Sequence, residues 1–203
     1  MQFEGTNQFD NKFKNIGKFG DDRNACPLFA LFTAYNFMKN GDVSQHQHDT
    51  NIETSILNYI THEELPKYMS FDELICFFKQ FKDTEVQATT PELINEFGYE
   101  NIFDPEAVHN YSVILLKNSN FIAVLVQVSD DGSMKFYVRD CHEREQYMYN
   151  NQADLYSHLK NNYQFQELTI VDGVNIDEFA NIEYLVINNE FDIISLNPDL
   201  HND

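Results

Sequence analysis

The sequence predicts an α+β protein in which a helical first half packs on an antiparallel sheet. Up to about residue 110 the apolar residues recur at helical spacing, as at Ile52, Ile56, Tyr59 and Ile60. After residue 110 the pattern changes to short β-branched and aromatic runs that are separated by turn residues. Helices followed by strands are typical of the α+β class.

The domain organisation follows from length and composition. A chain of 203 residues, of which 42% are hydrophobic, can form one domain with a substantial core. The sequence contains no internal repeat and no long linker. We therefore predict a single domain over residues 1–203, in which residues 42–110 form a helical sub-lobe or insertion.

The first predicted helix lies behind an irregular segment. Residues 1–22 are interrupted by glycines and are predicted to be irregular or extended, and three phenylalanines are expected to fix them to the core: Phe9, Phe13 and Phe19. A helix is predicted over residues 27–38, because Pro27 favours a helix start and Asn40-Gly41 favours a left-handed end. This helix is apolar on nearly every side, so we expect it to be buried.

The remaining elements are predicted from capping residues and periodicity. In the first half they are a polar loop over 42–50, a helix near 51–60, a helix from the Ser70–Glu73 capping box to about Phe81, a short helix from Thr90-Pro91-Glu92 to Gly98, and a turn at 104–106. In the second half they are strands over 111–116, 121–128 and 134–142, a helix over about 152–162 capped by Asn151 with Leu155 and Leu159 on one face, and strands over 165–171, 183–188 and 191–196.

Charge and composition limit the partners. The formal net charge is −20, and nine acidic residues but no Lys or Arg follow Lys160, so nucleic acid would be repelled and a basic partner attracted. Taken alone, the charge favours a soluble acidic protein and no particular partner. No apolar run reaches the roughly 18 residues of a membrane span, and the N-terminus lacks signal-peptide features. Three widely spaced cysteines suit a reducing compartment. We predict a cytoplasmic monomer with no membrane partner.

No motif indicates a metal or another cofactor. The sequence has no CxxC or HExxH spacing, and His46-Gln47-His48-Asp49 is expected to be solvated in a polar loop. We therefore predict neither a metal site nor a cofactor site.

Cys26 is the first candidate catalytic residue. It stands directly before Pro27, which places it at the N-cap of the buried helix. There the helix dipole and the free backbone N–H groups favour a thiolate, the nucleophilic form of the side chain. A buried structural cysteine is the alternative, so a nearby base must decide between the two.

Asp140 and His142 supply the candidate acid and base. Side chains two apart in a strand share a face, so Asp140 is expected to orient the His142 imidazole while the second ring nitrogen faces the Cys26 thiol. His109 is an alternative base, since the order cysteine, histidine, acid would select Cys26, His109 and Asp140. We prefer His142, because a D-x-H strand positions acid and base together.

Donors for an oxyanion are also available. The backbone N–H of Cys26 is one, and a side-chain amide upstream is the second, for which Gln8 and its neighbour Asn7 are candidates. From chemistry alone, a surface position for Gln8 in a frayed N-terminus is favoured.

Together these residues resemble the herpesvirus tegument deubiquitinases, papain-like cysteine proteases with bacterial and eukaryotic relatives. The resemblance lies in Gly5-Thr6-Asn7-Gln8, in Cys26 at the head of a helix, and in Phe136–His142, and covers about residues 3–40 and 111–170. It implies a papain-like fold, with Cys26 as nucleophile, His142 as general base, Asp140 as orienting acid and Gln8 as oxyanion donor.

Two further resemblances widen the choice of modifier. Asn24–Ala30 also resembles the N-x-P-C-P-L-x-A signature of the MINDY deubiquitinases, and D-x-H resembles the cysteine proteases of autophagy. The spacing from Gln8 to Cys26 leaves Asn7 and Asn24 as alternative oxyanion donors.

The resemblance implies a thiol-dependent ubiquitinyl hydrolase whose partner is ubiquitin or a ubiquitin-like protein. Residues 42–110 lie outside the resemblance, and we expect substrate selectivity to reside there. An alternative is a bacterial or viral effector of papain fold that catalyses deamidation or acyl transfer, with the host cytosol as its location. A third is a non-enzymatic acidic interaction protein in which Cys26 is structural.

Overall fold

The protein combines helices with an antiparallel sheet, which confirms the α+β class. This computed structural model describes residues 2–4, 7–10, 25–61, 69–81, 83, 85–89, 92–93, 102–117, 120–163 and 182–189. The helices in these ranges are α1 (Cys26–Asn40), α2 (Gln45–Thr61), α3 (Phe71–Phe78), which a 3₁₀ turn over Lys79–Phe81 extends, and α4 (Gln152–Asn162). None of the described helices has the length and apolar character needed to cross a bilayer.

Eight strands form the sheet within the described residues. They are β1 (Gln2–Glu4), β2 (Val86–Ala88), β3 (Glu92–Leu93), β4 (Tyr111–Lys117), β5 (Asn120–Val128), β6 (Met134–Arg139), β7 (Glu145–Tyr149) and β8 (Glu183–Asn189). Their order is β1-β7-β6-β5-β4-β8-β2, and β3 pairs with the start of β8. Every described pairing is antiparallel.

Both faces of the central strands are buried. Phe121, Ala123 and Leu125 of β5 pack in a cluster with α1, α2 and α3. The alternate residues Ile122 and Val124 pack in a second cluster with α4 and the segment before β4. Because neither face of β5 is solvated, its sequence is a continuous apolar run rather than an alternating one.

Helix α1 lies at the centre of the first cluster and confirms the predicted buried helix. It packs against β4, β5 and α2. Gly41 ends it with φ of 65°, a left-handed value that favours glycine, and its N–H donates to the Phe37 carbonyl at 2.7 Å. The helix begins one residue before the prediction. Ala25 is the N-cap, so Cys26 is the first helical residue.

Several other predicted elements are confirmed. The capping box of α3 is present, with Glu73 N–H donating to Ser70 Oγ at 3.3 Å and Ser70 N–H donating to Glu73 Oε2 at 2.7 Å. Asn151 caps α4 by accepting from the Asp154 N–H at 2.9 Å. The strands β4, β5 and β8, the turn after β5 and the buried face of α4 also agree with the predictions.

The polar loop predicted over residues 42–50 is wrong, because α2 already begins at Gln45. The Ser44 hydroxyl accepts from the Gln47 N–H at 3.2 Å, as an N-cap does. His48 was expected to be solvated, but only 2% of its surface is exposed and its ring packs edge-on against Phe29. This contact with an apolar ring on an otherwise polar helix was not predicted.

Other predictions for the first half of the chain are also wrong. Glu92 was expected in a short helix, but it lies in β3, and β2 was not predicted at all. Phe9 was expected to reach the core, yet 47% of its surface is exposed. The expectations for Phe13, Phe19 and Gly98, and for strands over 165–171 and 191–196, lie outside the described residues.

Candidate active site

The sheet register brings the predicted site residues to one end of the sheet. Cys26 heads α1, and its sulfur accepts a hydrogen bond from the backbone N–H of Phe121, near the start of β5. Arg139, the last residue of β6, pairs with Ala123. Because β6 is antiparallel to β5, the residues that follow Arg139 continue towards the Phe121 end, where Cys26 lies.

Cys26 is buried, and its environment favours the thiolate. The pKa of Cys26 is lowered chiefly because the Cys141 thiol donates a hydrogen bond to its sulfur. Burial acts in the opposite direction, while the Phe121 N–H and the positive charge of His142 lower the pKa further. Burial and the same hydrogen bond raise the pKa of Cys141, so Cys141 is the donor of the pair.

Asp140 holds His142 in a short turn. The Nδ1 atom of His142 lies 2.9 Å from Asp140 Oδ1, and its backbone N–H donates to the same oxygen at 2.9 Å. The Tyr163 hydroxyl donates to Asp140 Oδ2 at 2.9 Å. Burial raises the pKa of Asp140, but these hydrogen bonds and the charge of His142 outweigh it, so the pKa lies below its ordinary value.

The predicted strand over 134–142 ends early, and this changes how His142 reaches the site. Strand β6 stops at Arg139, because the Asp140 carboxylate accepts the His142 N–H and forms a turn. Up to Cys141 the predicted alternation of faces holds. Tyr137 and Cys141 pack on the α1 side, and the partner of Asp140 comes from the end of α4 on the other side.

The surroundings of His142 favour its protonated form. Burial lowers the pKa of His142, but the hydrogen bond and charge of Asp140, together with the charge of Cys26, raise it above its ordinary value overall. Because Nδ1–H is donated to Asp140, Nε2 is the nitrogen left to accept a proton. A lowered thiol pKa beside a raised imidazole pKa favours a thiolate–imidazolium pair.

Residues 7–10 form a turn that is attached to the turn carrying His142. The backbone N–H of Gln8 donates to the Cys141 carbonyl at 2.8 Å, and the ring of Phe9 lies 5.5 Å from that of His142. Asp10 forms an ion pair with Arg144. Gln8 is buried rather than on the surface, with 1% of its area exposed.

Of the two alternative oxyanion donors, Asn7 and Asn24, the structure describes only Asn7. The side-chain oxygen of Asn7 accepts the Phe9 N–H at 3.0 Å, so this side chain shapes the turn. Asn24 lies outside the described residues. Gln8 and the backbone N–H of Cys26, at the start of α1, stay the predicted oxyanion donors.

His109 lies at the other end of the sheet. It is exposed and precedes β4, whose far residue Leu116 pairs with Phe121 beside Cys26. Leu116 is seven positions after His109, which at the rise of a strand is on the order of 20 Å. The structure thus brings Cys26 together with His142 and not with His109.

Two residues of the site were not assigned by the sequence analysis. Cys141 was only the middle position of D-x-H, although strand alternation already placed it on the face opposite Asp140. Tyr163 carries no signal in the sequence, since it lies 23 positions from Asp140 and joins it only through the fold.

One group in the described residues has donor atoms close enough for a metal ion: Asp140, Cys141 and His142, all within 4.8 Å. A thiolate, an imidazole and a carboxylate would suit Zn²⁺. However, His142 Nδ1 and Asp140 Oδ1 already share a hydrogen bond, which a metal bound to both would have to displace. The geometry is better described as that of an acid–base pair.

Comparison with known proteins adds no assignment: no protein-family model matches the chain, and no curated protein is significantly similar to it. The chemistry of the site must therefore be judged from its geometry. A thiol at a helix N-terminus, close to a histidine held by a buried carboxylate, is suited to attack on a carbonyl carbon.

Proposed function

We propose that the protein is a papain-like cysteine protease that hydrolyses the bond after the C-terminal glycine of ubiquitin or a ubiquitin-like modifier. Cys26 is the nucleophile, His142 the general base, Asp140 the orienting acid and Gln8 the side-chain oxyanion donor. One observation carries this proposal: a thiol with a lowered pKa lies in the field of a histidine that a buried carboxylate holds.

The reaction follows from these roles. The Cys26 thiolate attacks the carbonyl carbon, and the negative charge that develops on oxygen is stabilised by the Cys26 N–H and the Gln8 amide. Protonated His142 gives its proton to the leaving amine, which leaves a thioester on Cys26. Water then gives a proton to His142 and attacks the thioester, which releases the carboxylate and restores the thiolate.

The burial of Cys26 favours a substrate that is narrow at the reacting bond. No part of Cys26 is exposed, while 23% of the His142 side chain is, beneath the exposed ring of Phe9. A tail that ends in two glycines carries no side chain at the reacting bond and can approach such a site closely. The net charge of −20 favours a basic tail.

The test is a ubiquitin derivative with an electrophile in place of its C-terminal carboxylate. The native chain is expected to take one equivalent as a covalent adduct, measured by intact mass. Cys26→Ala and His142→Ala are expected to lose the adduct, and His109→Ala is expected to keep it. Circular dichroism of each variant checks that it is folded, and parallel probes built on ubiquitin-like modifiers identify the preferred one.

Two outcomes would overturn the proposal. If no modifier probe reacts while a small thiol reagent labels Cys26 at neutral pH, the site performs another acyl-transfer or deamidation reaction. If Cys26 reacts with nothing until the protein is unfolded, the cysteine is structural.

A further inference from the structure

A second thiol contacts the candidate nucleophile. Cys141, directly after Asp140, donates its S–H to the sulfur of Cys26, and neither side chain has exposed surface. Both side chains belong to the same buried cluster between α1 and the sheet. Two buried thiols in direct contact can be joined covalently, whereas an isolated buried cysteine is inert.

The backbone holds both cysteines in this position. The Phe121 N–H donates to the Cys26 sulfur, and the Cys141 carbonyl accepts the Gln8 N–H at 2.8 Å. Cys141 Sγ also lies 3.8 Å from His142 Nδ1. The second thiol thus contacts the nucleophile and lies close to the histidine ring.

We propose that Cys26 and Cys141 form a reversible disulfide when a small hydroperoxide oxidises Cys26. The Cys26 thiolate attacks the terminal oxygen of the hydroperoxide, the O–O bond breaks, and Cys26 becomes a sulfenic acid, while hydroxide leaves from hydrogen peroxide and alkoxide from an organic hydroperoxide. The Cys141 sulfur then attacks the Cys26 sulfur, its proton leaves with the sulfenic oxygen as water, and the S–S bond forms. A dithiol reductant reverses the step by exchange.

The disulfide depends on the thiol contact alone, but its consequence rests on the proposed function. The disulfide bonds the sulfur of Cys26, so the oxidised protein would not hydrolyse a substrate until the disulfide is reduced. It also protects Cys26, because a sulfenic acid without a neighbouring thiol is oxidised further to the sulfinic acid, which dithiols do not reduce.

The third cysteine provides a clean background for the test. Cys76 lies on α3 and is exposed. Since the chain has three cysteines, Cys76→Ser leaves only the pair. Folded Cys76→Ser protein is treated with hydrogen peroxide, the remaining thiols are alkylated, and the protein is analysed by intact mass and by peptide mapping without reduction.

The expected result is the loss of both free thiols and of two hydrogens, with Cys26 and Cys141 joined in one linked peptide, and full recovery with dithiothreitol. In Cys76→Ser/Cys141→Ser the same treatment is expected to add oxygen to Cys26 with no recovery. The inference is overturned if oxygen accumulates on Cys26 while Cys141 remains alkylatable, or if neither thiol reacts in the folded protein. These readings come from the Cys76→Ser chain itself, so they do not depend on the folding of the double variant.

A parallel measurement with the ubiquitin probe separates the two proposals. A disulfide in a chain that never reacts with any modifier probe supports the thiol pair and contradicts the protease. A probe adduct in a chain that forms no disulfide supports the protease and contradicts the disulfide.

Discussion

Asp140 Oδ1 accepts two hydrogen bonds from the same residue, His142: one from Nδ1–H and one from the backbone N–H, each 2.9 Å long. The first bond fixes the tautomer and the second fixes the turn that carries the ring. A single carboxylate oxygen therefore determines both the protonation pattern and the position of the imidazole.

Asp140→Asn is expected to lower the rate of ubiquitin C-terminal hydrolysis by about 10²–10⁴-fold, because an amide neither stabilises the imidazolium nor enforces the tautomer. The measurement is kcat/KM against pH on a fluorogenic ubiquitin substrate. Without Asp140 the pKa of His142 falls, so the pH range of the thiolate–imidazolium pair narrows. Asp130→Asn, in the exposed turn after β5, is the control, and equal rates in the two variants would exclude the orienting role.

Tyr163→Phe tests the second hydrogen bond to the same carboxylate. Removing a hydrogen bond to a buried charged group is expected to lower the free energy of unfolding by about 1.5–3 kcal/mol at neutral pH. The folded pKa of Asp140 is below the unfolded one, so this stability is present above the unfolded pKa and is lost as the pH falls through the folded pKa. The difference between native and variant should therefore shrink on acidification.

Urea unfolding at neutral and acidic pH measures this difference. Tyr149→Phe is the control, because Tyr149 packs on the same His158 ring as Tyr163. A deficit for Tyr163→Phe that stays constant over the whole range would show that the loss comes from packing and not from the charged hydrogen bond.

Cys141→Ala and Cys141→Ser separate hydrogen bonding from packing at the nucleophile. The Cys141 hydrogen bond is the largest cause of the lowered pKa of Cys26, so alanine should raise that pKa and serine, which still donates, should retain most of the effect. The pH dependence of Cys26 alkylation measures the pKa. If the pKa of Cys26 changed equally in both variants, the hydrogen bond from position 141 would not be the cause of its lowered value.

Ser70→Ala removes the capping box of α3 and should cost about 1 kcal/mol of stability. The residue lies outside the candidate site, so the rate of Cys26 alkylation should not change. Urea unfolding and alkylation are measured on the same preparation. Unchanged stability would show that the capping hydrogen bonds contribute no net stability, because water makes equivalent hydrogen bonds to these groups in the unfolded chain.

Most of the fold could be predicted because local signals agree with the global structure. The Ser70–Glu73 box, the Asn151 cap and the apolar runs of β4 and β5 are each specified by residues that are close in sequence. The start of α2 was missed, because its apolar contact, His48 on Phe29, comes from a polar residue type. The short strands β2 and β3 were missed because they exist only through pairing with β8, about 100 residues away.

The candidate site was predictable to the extent that its partners are close in sequence. Asp140 and His142 are two apart, so the pair could be predicted from the spacing, although a turn and not a continuous strand joins them. The contact of Cys26 with Cys141 depends on the register of β5 and β6, and that of Asp140 with Tyr163 on the position of α4. Neither the register of two strands nor the position of a helix in the fold can be predicted from the local sequence pattern.

The most direct measurement is the pH dependence of alkylation of Cys26 in folded Cys76→Ser protein, with the label located by peptide mapping. The proposed mechanism predicts that Cys26 is labelled before Cys141, with a midpoint below the ordinary thiol range. It also predicts that His142→Ala moves this midpoint upwards and that His109→Ala does not. Labelling of Cys26 only after unfolding, or a midpoint unchanged by His142→Ala, would contradict it.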